Sequence, residues 1–176
     1  CVIVGQYIYY LLMYEEGKEN VCFIALTYII EPGFLGEQKS KPAQLGIRSL
    51  LSLGIQPDII ACRAENPVTE KAREKISVYS NVPLTRVIGV HDVDSIYLIP
   101  DLLRKEKTDE EVVKILNLKE KAKRTTDSQK KWDKFVNNIL HPTKTVTIGI
   151  TGKYTSLRDS YASILKALEH AGSALK

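Results

Sequence analysis

Short apolar runs alternate with segments of helical hydrophobic spacing through the first two thirds of the chain. Residues 21–30 form a nearly continuous apolar run, which predicts a strand buried on both faces. Shorter apolar runs at 58–62 and 86–90 predict two further strands. The chain also opens on an apolar stretch at 1–4 that resembles a strand stopped abruptly.

Helical segments are predicted between and after these strands. They lie at 44–53, 69–79 and 95–103, and after the capping-box pattern formed by Thr108 and Glu111. Thr69 and Ser95 are placed to cap two of them, although Pro100 falls in the middle of the second. Because strands that alternate with helices pair in parallel through right-handed crossovers, the pattern predicts an α/β fold, a parallel sheet with flanking helices.

The last third of the chain follows a different pattern. Residues 119–131 lack apolar periodicity and predict a linker. A helical stripe comes next, made of Trp132, Phe135, Val136 and Ile139, and the dipeptide His141-Pro142 ends it. A new unit is predicted from Lys144, with a strand at 145–150 and a helix at 159–171. One strand and one helix cannot bury a core, so we expect this unit to need more chain or a partner.

The composition is that of an ordinary globular protein, with 176 residues of which 44% are hydrophobic and 26% charged. The longest apolar run, at 21–30, is about half of the roughly 20 residues that a membrane helix needs. The amino end has neither the basic start nor the small-residue cleavage site of a signal peptide. These features predict a cytoplasmic protein with no membrane partner.

The net charge of +4 is confined to residues 119–134, where seven basic residues face three acidic ones. A nucleic-acid-binding surface usually spreads its basic residues over one face together with stacking aromatic side chains. Here the excess lies in the predicted linker, and Trp132 and Phe135 fit an apolar stripe better. We therefore interpret the segment as a solvated face and expect no nucleic-acid partner.

Three cysteines, Cys1, Cys22 and Cys62, lie far apart and form no Cys-x-x-Cys pair. Neither a zinc site nor a disulfide framework is expected from that spacing. Cys22 and Cys62 lie in apolar runs, which predicts buried thiols.

The best local candidate for a binding site is the loop GEQKSKPAQ at 36–44, which follows a predicted strand and opens a predicted helix. In an extended loop Lys39 and Lys41 would point to one side, and the helix amides would add to their positive field. Arg63 and Lys75 can converge on the same place, which would suit a polyphosphate. The alternative is a pair of exposed lysines on a surface loop.

A second candidate is His91-Asp92-Val93-Asp94, which follows the third predicted strand. Ligands of parallel α/β sheets bind beyond the carboxyl ends of the strands. Asp92 and Asp94 could hold a metal, or Asp94 could help to cap the next helix. The backbone at such a strand end can also read the edge of a base.

The stretch GEQKSKPAQLGIRSLLSLGIQPDIIACR at 36–63 closely resembles the synthetase (amidoligase) domain of the CTP synthase family. The likeness continues through EKISVYSNVP at 74–83, VHDVDSIYLIPDLL at 90–103 and VTIGITGKYTSLRDSYASILKALEHAG at 146–172. The resemblance implies a P-loop-like (Rossmann-like) parallel sheet and an ATP-dependent, amide-forming ligase. In the implied reaction ATP phosphorylates O4 of UTP, and ammonia released from glutamine displaces the phosphate to give CTP.

The resemblance also implies the roles of individual residues. UTP and CTP binding is implied for Lys39, Ser40, Lys41, Pro42, Ala43, Gln44, Lys75 and Tyr79. ATP binding is implied for His91, Asp92, Val93 and Arg63. Ala43 stands where family members usually carry threonine.

The resemblance divides the chain into a synthetase part at 1–118, an interdomain linker at 119–143 and the beginning of a glutamine amidotransferase domain at 144–176. It implies Mg²⁺ as a cofactor and a homo-oligomer, a tetramer that can stack into filaments. The family's catalytic and magnesium-binding residues have no counterpart in these 176 residues. We therefore expect a part of the enzyme that is inactive by itself. The alternative is a fragment that acts only in UTP or CTP binding or in subunit assembly.

Overall fold

The computed structural model describes residues 2–33, 36–121 and 126–175. Of the residues singled out above, Cys1 and part of the basic segment (Lys123 and Arg124) lie outside the described residues. The chain divides into two compact units, Cys1–Ala122 and Lys123–Lys176. The boundaries expected near 118 and 143 stay predictions.

The first unit is built on a parallel sheet of three strands, β1 (Ile24–Tyr28), β2 (Ile59–Ala64) and β3 (Val87–His91), in the order β1-β2-β3. Helices α2 (Lys41–Ser52) and α3 (Glu70–Ser80) connect successive strands. The predicted α/β class is confirmed, and the strands predicted at 21–30, 58–62 and 86–90 each lie within a few residues of an observed strand.

One face of the sheet packs on α2 and α3. Its core joins side chains of two strands, β2 and β3, to side chains of the helices. The strand side chains are Ile60, Cys62, Ala64 and Val87, with Ile29 just after β1, and the others are Ala43, Ile47, Ile76 and Val82. The other face buries Ile59, Ala61 and Ile88 against side chains that include Leu103 of α4 (Ile99–Lys105) and Val112 of α5 (Thr108–Ile115).

The prediction that the first strand is buried on both faces is wrong. Ile24, Leu26 and Tyr28 share the face that α4 and α5 cover at β2 and β3, yet they are 50%, 74% and 46% exposed. The reason is that the cluster beneath α4 and α5 is centred on β2 and β3 and leaves this face of β1 uncovered. A continuous apolar run does not distinguish a covered strand from a half-covered one.

The opening of the chain is a helix, α1 (Val2–Glu15), and not the strand predicted at 1–4. Tyr9 of this helix is buried and its ring centroid lies 4.2 Å from that of Phe23. The hydroxyl of Tyr10 donates a 3.0 Å hydrogen bond to the carbonyl of Leu53, just before Gly54, whose φ of +74° ends the α2 turn. The local apolar run therefore forms a helix that packs beside β1 and the end of α2.

Two caps agree with the sequence and one does not. Thr69 accepts from the amide of Ala72, and Ser95 accepts from the amide of Tyr97 at the start of a 3-10 turn, Ile96–Leu98, that leads into α4. Pro100 lies in the first turn of α4, where its missing N–H does no harm. The capping box at Thr108 is not formed, because α5 already includes Thr108 and Glu111 pairs with Arg86 and Lys114.

The second unit contains α6 (Thr126–Leu140) and α7 (Ala162–Leu175), with a 3-10 turn, Arg158–Tyr161, before α7. The stripe around Trp132 lies on α6 as predicted, and the helix ends just before His141-Pro142. Helix α6 begins six residues before Trp132, inside the segment predicted as a linker. The side-chain amide of Asn138 donates a 3.0 Å hydrogen bond to the carbonyl of Ser173, which ties the two helices together.

The strand predicted at 145–150 is not formed, although these residues are described. A strand needs a neighbour to pair with its backbone groups, and no described residue pairs with this segment. Within the described ranges no helix is both long and apolar enough to cross a membrane.

Candidate nucleotide-binding site

Two loops meet at the carboxyl edge of the sheet, one after β1 and one after β2. Gln38 joins them: its side-chain nitrogen donates to the carbonyl of Pro67 at 2.9 Å, and its side-chain oxygen accepts from the amide of Thr69 at 2.8 Å. Asn66 adds a 3.1 Å hydrogen bond to Oε2 of Glu31. These contacts hold the loop 36–40 against the start of α3.

A cavity of about 300 Å³ lies between these loops and α3. The polar side chains of its wall include Glu31, Glu37, Gln38, Asn66, Lys71 and Lys75. It opens at the edge of the sheet where ligands of parallel α/β folds bind, and two of its side chains are cationic.

The structure separates Lys39 from Lys41. The amide of Lys39 donates to the carbonyl of Ile30 at 2.7 Å, and its ammonium group lies 2.6 Å from Oε2 of Glu37. Lys41 is the first residue of α2 and is exposed. The two lysines therefore do not share one extended segment, and neither is among the residues that line the cavity.

The other residues of this loop shape the start of α2. Ser40 is 7% exposed, and its hydroxyl accepts from the side-chain nitrogen of Gln44 at 3.2 Å. Pro42 lies in the first turn of the helix. Ala43 is 2% exposed and belongs to the core between α2 and the sheet. The side chains of Ser40 and Ala43 therefore lie on the buried side of the loop and the helix start.

A second, shallower depression of about 350 Å³ lies between α2 and α3. Gln44, Glu74, Lys75, Val78 and Tyr79 line it. Lys75 thus belongs to both depressions, and the structure brings three of the predicted UTP and CTP residues together here, namely Gln44, Lys75 and Tyr79.

The residues predicted to bind ATP lie at the carboxyl ends of β2 and β3. Arg63 donates to Oδ1 of Asp92 and to the carbonyl of Val90, and the amide of Asp92 donates to the carbonyl of Ala64 at 3.1 Å. His91 is the last residue of β3, and Val93 follows Asp92. Strand alternation puts Arg63 on the face of α4 and α5, opposite the face that carries α3. Arg63 therefore does not converge with Lys75.

Cationic side chains surround Glu37, one of the two carboxylates that line the first cavity. The hydrogen bond from Lys39, followed by the charges of Lys39, Lys71 and Lys75, holds the pKa of Glu37 below its usual value. Among the described residues no group of three or more His, Cys, Asp or Glu side chains is arranged to hold a metal ion. Asp92 pairs with Arg63, and the two alternatives for Asp92 and Asp94, a metal site or a helix cap, stay predictions.

Sequence reasoning missed the roles of Gln38 and Lys71. Lys71 precedes Lys75 by four residues on α3, a spacing that puts both side chains on one face of the helix. That spacing could have been used to predict that Lys71 and Lys75 lie together. The contacts of Gln38 could not be predicted, because they join loops about 30 residues apart in the chain.

Residues 7–118 match the family described as CTP synthase N-terminus. Similar curated proteins include a CTP synthase of Pyrococcus furiosus, 45% identical over 89% of this chain, and one of Caldanaerobacter subterraneus, 42% identical over 90%. A CTP synthase of Chlorobium phaeobacteroides is 43% identical over 91% of the chain. The matched regions make up only 28%, 29% and 28% of the lengths of these relatives.

Proposed function

Because the chain belongs to the CTP synthase family, we propose that its first unit binds the pyrimidine nucleotide of an enzyme that converts UTP to CTP. The proposed reaction uses ATP, with glutamine or ammonia as the nitrogen source, and is that of an amide-forming ligase. The chain spans about 28% of the length of its first relatives, so the activity is proposed for the enzyme of which these residues are a part.

The position of Lys75 carries this proposal. Its side chain lines the cavity beside Gly36, Glu37 and Gln38 and also the depression beside Gln44 and Tyr79. A nucleoside triphosphate needs cations for its phosphates and a flat surface for its base. We assign the phosphates to Lys75, Lys39 and Lys41, and the pyrimidine side to Tyr79, which is 39% exposed.

We propose that ATP binds at the same edge of the sheet but on its other side. Arg63 would face the adenine, and the backbone at His91, Asp92 and Val93 would read its edge. The register supports this arrangement because Arg63 pairs with Val90 across the ends of two adjacent strands. The two nucleotides would then approach the edge of the sheet from opposite faces.

Among the described residues no group of three or more His, Cys, Asp or Glu side chains is arranged to hold a metal ion by itself. We assign no reaction step to a metal held by this part of the chain. We propose that Mg²⁺ accompanies ATP in the reaction, as the family resemblance implies.

We also propose a homo-oligomer in the cytoplasm, with a tetramer as the family resemblance implies. The exposed apolar side chains of α1 support self-association. Tyr7 is 68% exposed and Tyr14 86%, and Ile8 and Leu11 are also exposed. Exposed apolar groups of this kind are typical of surfaces that become covered.

Calorimetric titration of the chain with UTP, CTP and uridine tests the nucleotide assignment. Lys75→Ala should weaken UTP and CTP binding by about tenfold, since a charge-assisted contact is lost, and should leave any uridine binding unchanged. The double variant Lys39→Ala/Lys41→Ala should also weaken both triphosphates. Higher salt should weaken UTP binding further.

Two controls match these variants. Lys105→Ala removes one positive charge from α4, on the opposite face of the sheet, and should bind UTP like the wild type. Lys119→Ala/Lys121→Ala removes two charges that are also two positions apart. Absence of UTP binding, or wild-type affinity in Lys75→Ala, would contradict the proposal, and binding of a duplex oligonucleotide would favour a nucleic-acid partner instead.

A further inference from the structure

Three lysines converge on one carboxylate at the mouth of the cavity between the two loops and α3. Oε2 of Glu37 lies 2.6 Å from the ammonium of Lys39, and Oε1 lies 4.0 Å from the ammonium of Lys71. Lys75 lines the same cavity and adds its charge to the field at Glu37. The lysines come from two separate elements, the loop after β1 and helix α3.

Lys71 does not serve the packing of α3. Its side chain is 74% exposed, whereas the side of the helix toward the sheet buries Ala72 and Ile76. Its ion pair with Glu37 is at the long limit of such contacts. Lys71 therefore presents an ammonium group to the cavity without any structural need for it there.

We propose that Lys71 is a further phosphate-binding residue of this nucleotide site, and that Glu37 is a resident counter-ion which the nucleotide's phosphates displace. This inference rests on the proposed function, because it assigns a polyphosphate to the same cavity. The inference adds Lys71 to the proposed nucleotide site and states what happens to Glu37 when the nucleotide binds. Before binding, Glu37 neutralises Lys39 and Lys71, and on binding the phosphate oxygens take its place.

Replacing the Glu37 carboxylate by phosphate oxygens should cost little free energy in this geometry. The side chain of Glu37 is 54% exposed, so its carboxylate can turn into solvent and be hydrated there. The other carboxylate of the cavity, Glu31, is held in place by hydrogen bonds from Gln38 and Asn66. Glu31 therefore keeps its negative charge in the cavity, and its repulsion directs the phosphates toward the lysines.

Two consequences follow for binding. Loss of Lys71 should affect ligands in proportion to their phosphate charge, since each further phosphate adds negative charge near the ammonium. Loss of the Glu37 charge should strengthen binding, because the ligand no longer has to displace a competing anion.

The experiment is calorimetric titration of the chain and its variants with UTP, UMP and inorganic tripolyphosphate. Lys71→Ala should weaken the binding of UTP and of tripolyphosphate by about three- to fivefold, as expected for an exposed charge contact. The binding of UMP should weaken by less. Glu37→Gln should bind UTP and tripolyphosphate more tightly than the wild type. The double variant should show a smaller gain than Glu37→Gln does by itself. Lys105→Ala, from the opposite face, is the matched control and should change nothing.

The outcomes separate this inference from the proposed function. If Lys75→Ala weakens UTP while Lys71→Ala does not, the nucleotide site stands and the role of Lys71 is refuted. If Glu37→Gln weakens UTP, the carboxylate is a supporting group and not a displaced counter-ion. If tripolyphosphate binds and responds to Lys71→Ala but UTP binds no better than tripolyphosphate, the anion site stands and the nucleotide assignment fails. If neither ligand binds, both proposals are wrong. Far-UV circular dichroism of each variant shows whether it is folded.

Discussion

The side-chain oxygen of Gln38 accepts a 2.8 Å hydrogen bond from the amide of Thr69, the residue that caps α3. Through the same side chain the loop is joined to the carbonyl of Pro67 at 2.9 Å. One glutamine thus holds the loop that carries Lys39 at a set distance from the helix that carries Lys75. The arrangement of the cationic groups depends on this contact.

Replacing Gln38 by alanine should loosen the two loops and weaken UTP binding by about threefold to tenfold, since each hydrogen bond contributes about 1 kcal/mol. Calorimetry measures the affinity, and thermal unfolding measures the stability. Gln56→Ala is the matched control, because Gln56 also joins separate segments, through the carbonyl of Ser80. That variant should lose stability without losing affinity, and equal effects of the two variants on UTP binding would contradict the role of Gln38.

Glu111 makes the stability of the first unit dependent on pH. This side chain is 11% exposed, accepts a hydrogen bond from Lys114, and accepts a 2.9 Å hydrogen bond from Nε of Arg86. These bonds, that of Lys114 first, hold the pKa of Glu111 below its usual value. A carboxyl whose pKa is lower in the folded state contributes stability above its unfolded pKa, and that stability is lost as the pH falls through the folded value.

Glu111→Gln should therefore lower the free energy of unfolding at pH 7 by about 1–2 kcal/mol and have little effect well below pH 4. Urea unfolding at several pH values measures this. Glu120→Gln removes one negative charge from an exposed position and should leave the pH profile of the wild type intact. A constant difference between Glu111→Gln and the wild type at all pH values would contradict the assignment.

Cys62 should be an unreactive thiol. It is 0% exposed within the core beneath α2 and α3, and burial raises its pKa to about 12. Because the thiolate is the reactive form, a maleimide or iodoacetamide reagent at pH 8 should modify Cys62 only when the protein is unfolded. Mass spectrometry of the modified peptides distinguishes it from the half-buried Cys22. Rapid modification of Cys62 in the native protein would contradict the described core.

Two apolar residues of the sheet should differ sharply in their effect on stability. Ile60 is 0% exposed on β2, so Ile60→Ala should lower the free energy of unfolding by about 2–5 kcal/mol. Leu26 is 74% exposed on β1, so Leu26→Ala should change it by less than about 0.5 kcal/mol. Chemical denaturation measures both. A large loss in Leu26→Ala would mean that this face of the edge strand is covered in solution.

Local patterns predicted the elements that depend on nearby residues. The strand β2 and the cap of α3 by Thr69 follow from short-range chemistry, because an apolar run and a side-chain oxygen act within a few residues of the chain. The end of α6 before His141-Pro142 follows in the same way from the steric effect of proline.

Other predictions failed where the deciding partner was distant or not among the described residues. The segment 145–150 has the apolar character of a strand but no described neighbour to pair with. Glu111 is drawn from its expected capping role by Arg86, which lies 25 residues away. The exposed side of β1 depends on where α4 and α5 pack, which the composition of β1 itself does not contain.

The sequence by itself determined the α/β class, the order of strands and helices from β1 to α5, and the family. The elements follow from residues that are close together in the chain, and the family follows from a long ordered match. The tertiary structure decided which charged groups share a cavity. Lys71 and Lys75 line the same cavity as Glu37, whereas Arg63 lies on the other face of the sheet. The physical reason is that electrostatic and hydrogen-bond partners act through space, and only the packing of the loops onto α3 sets those distances.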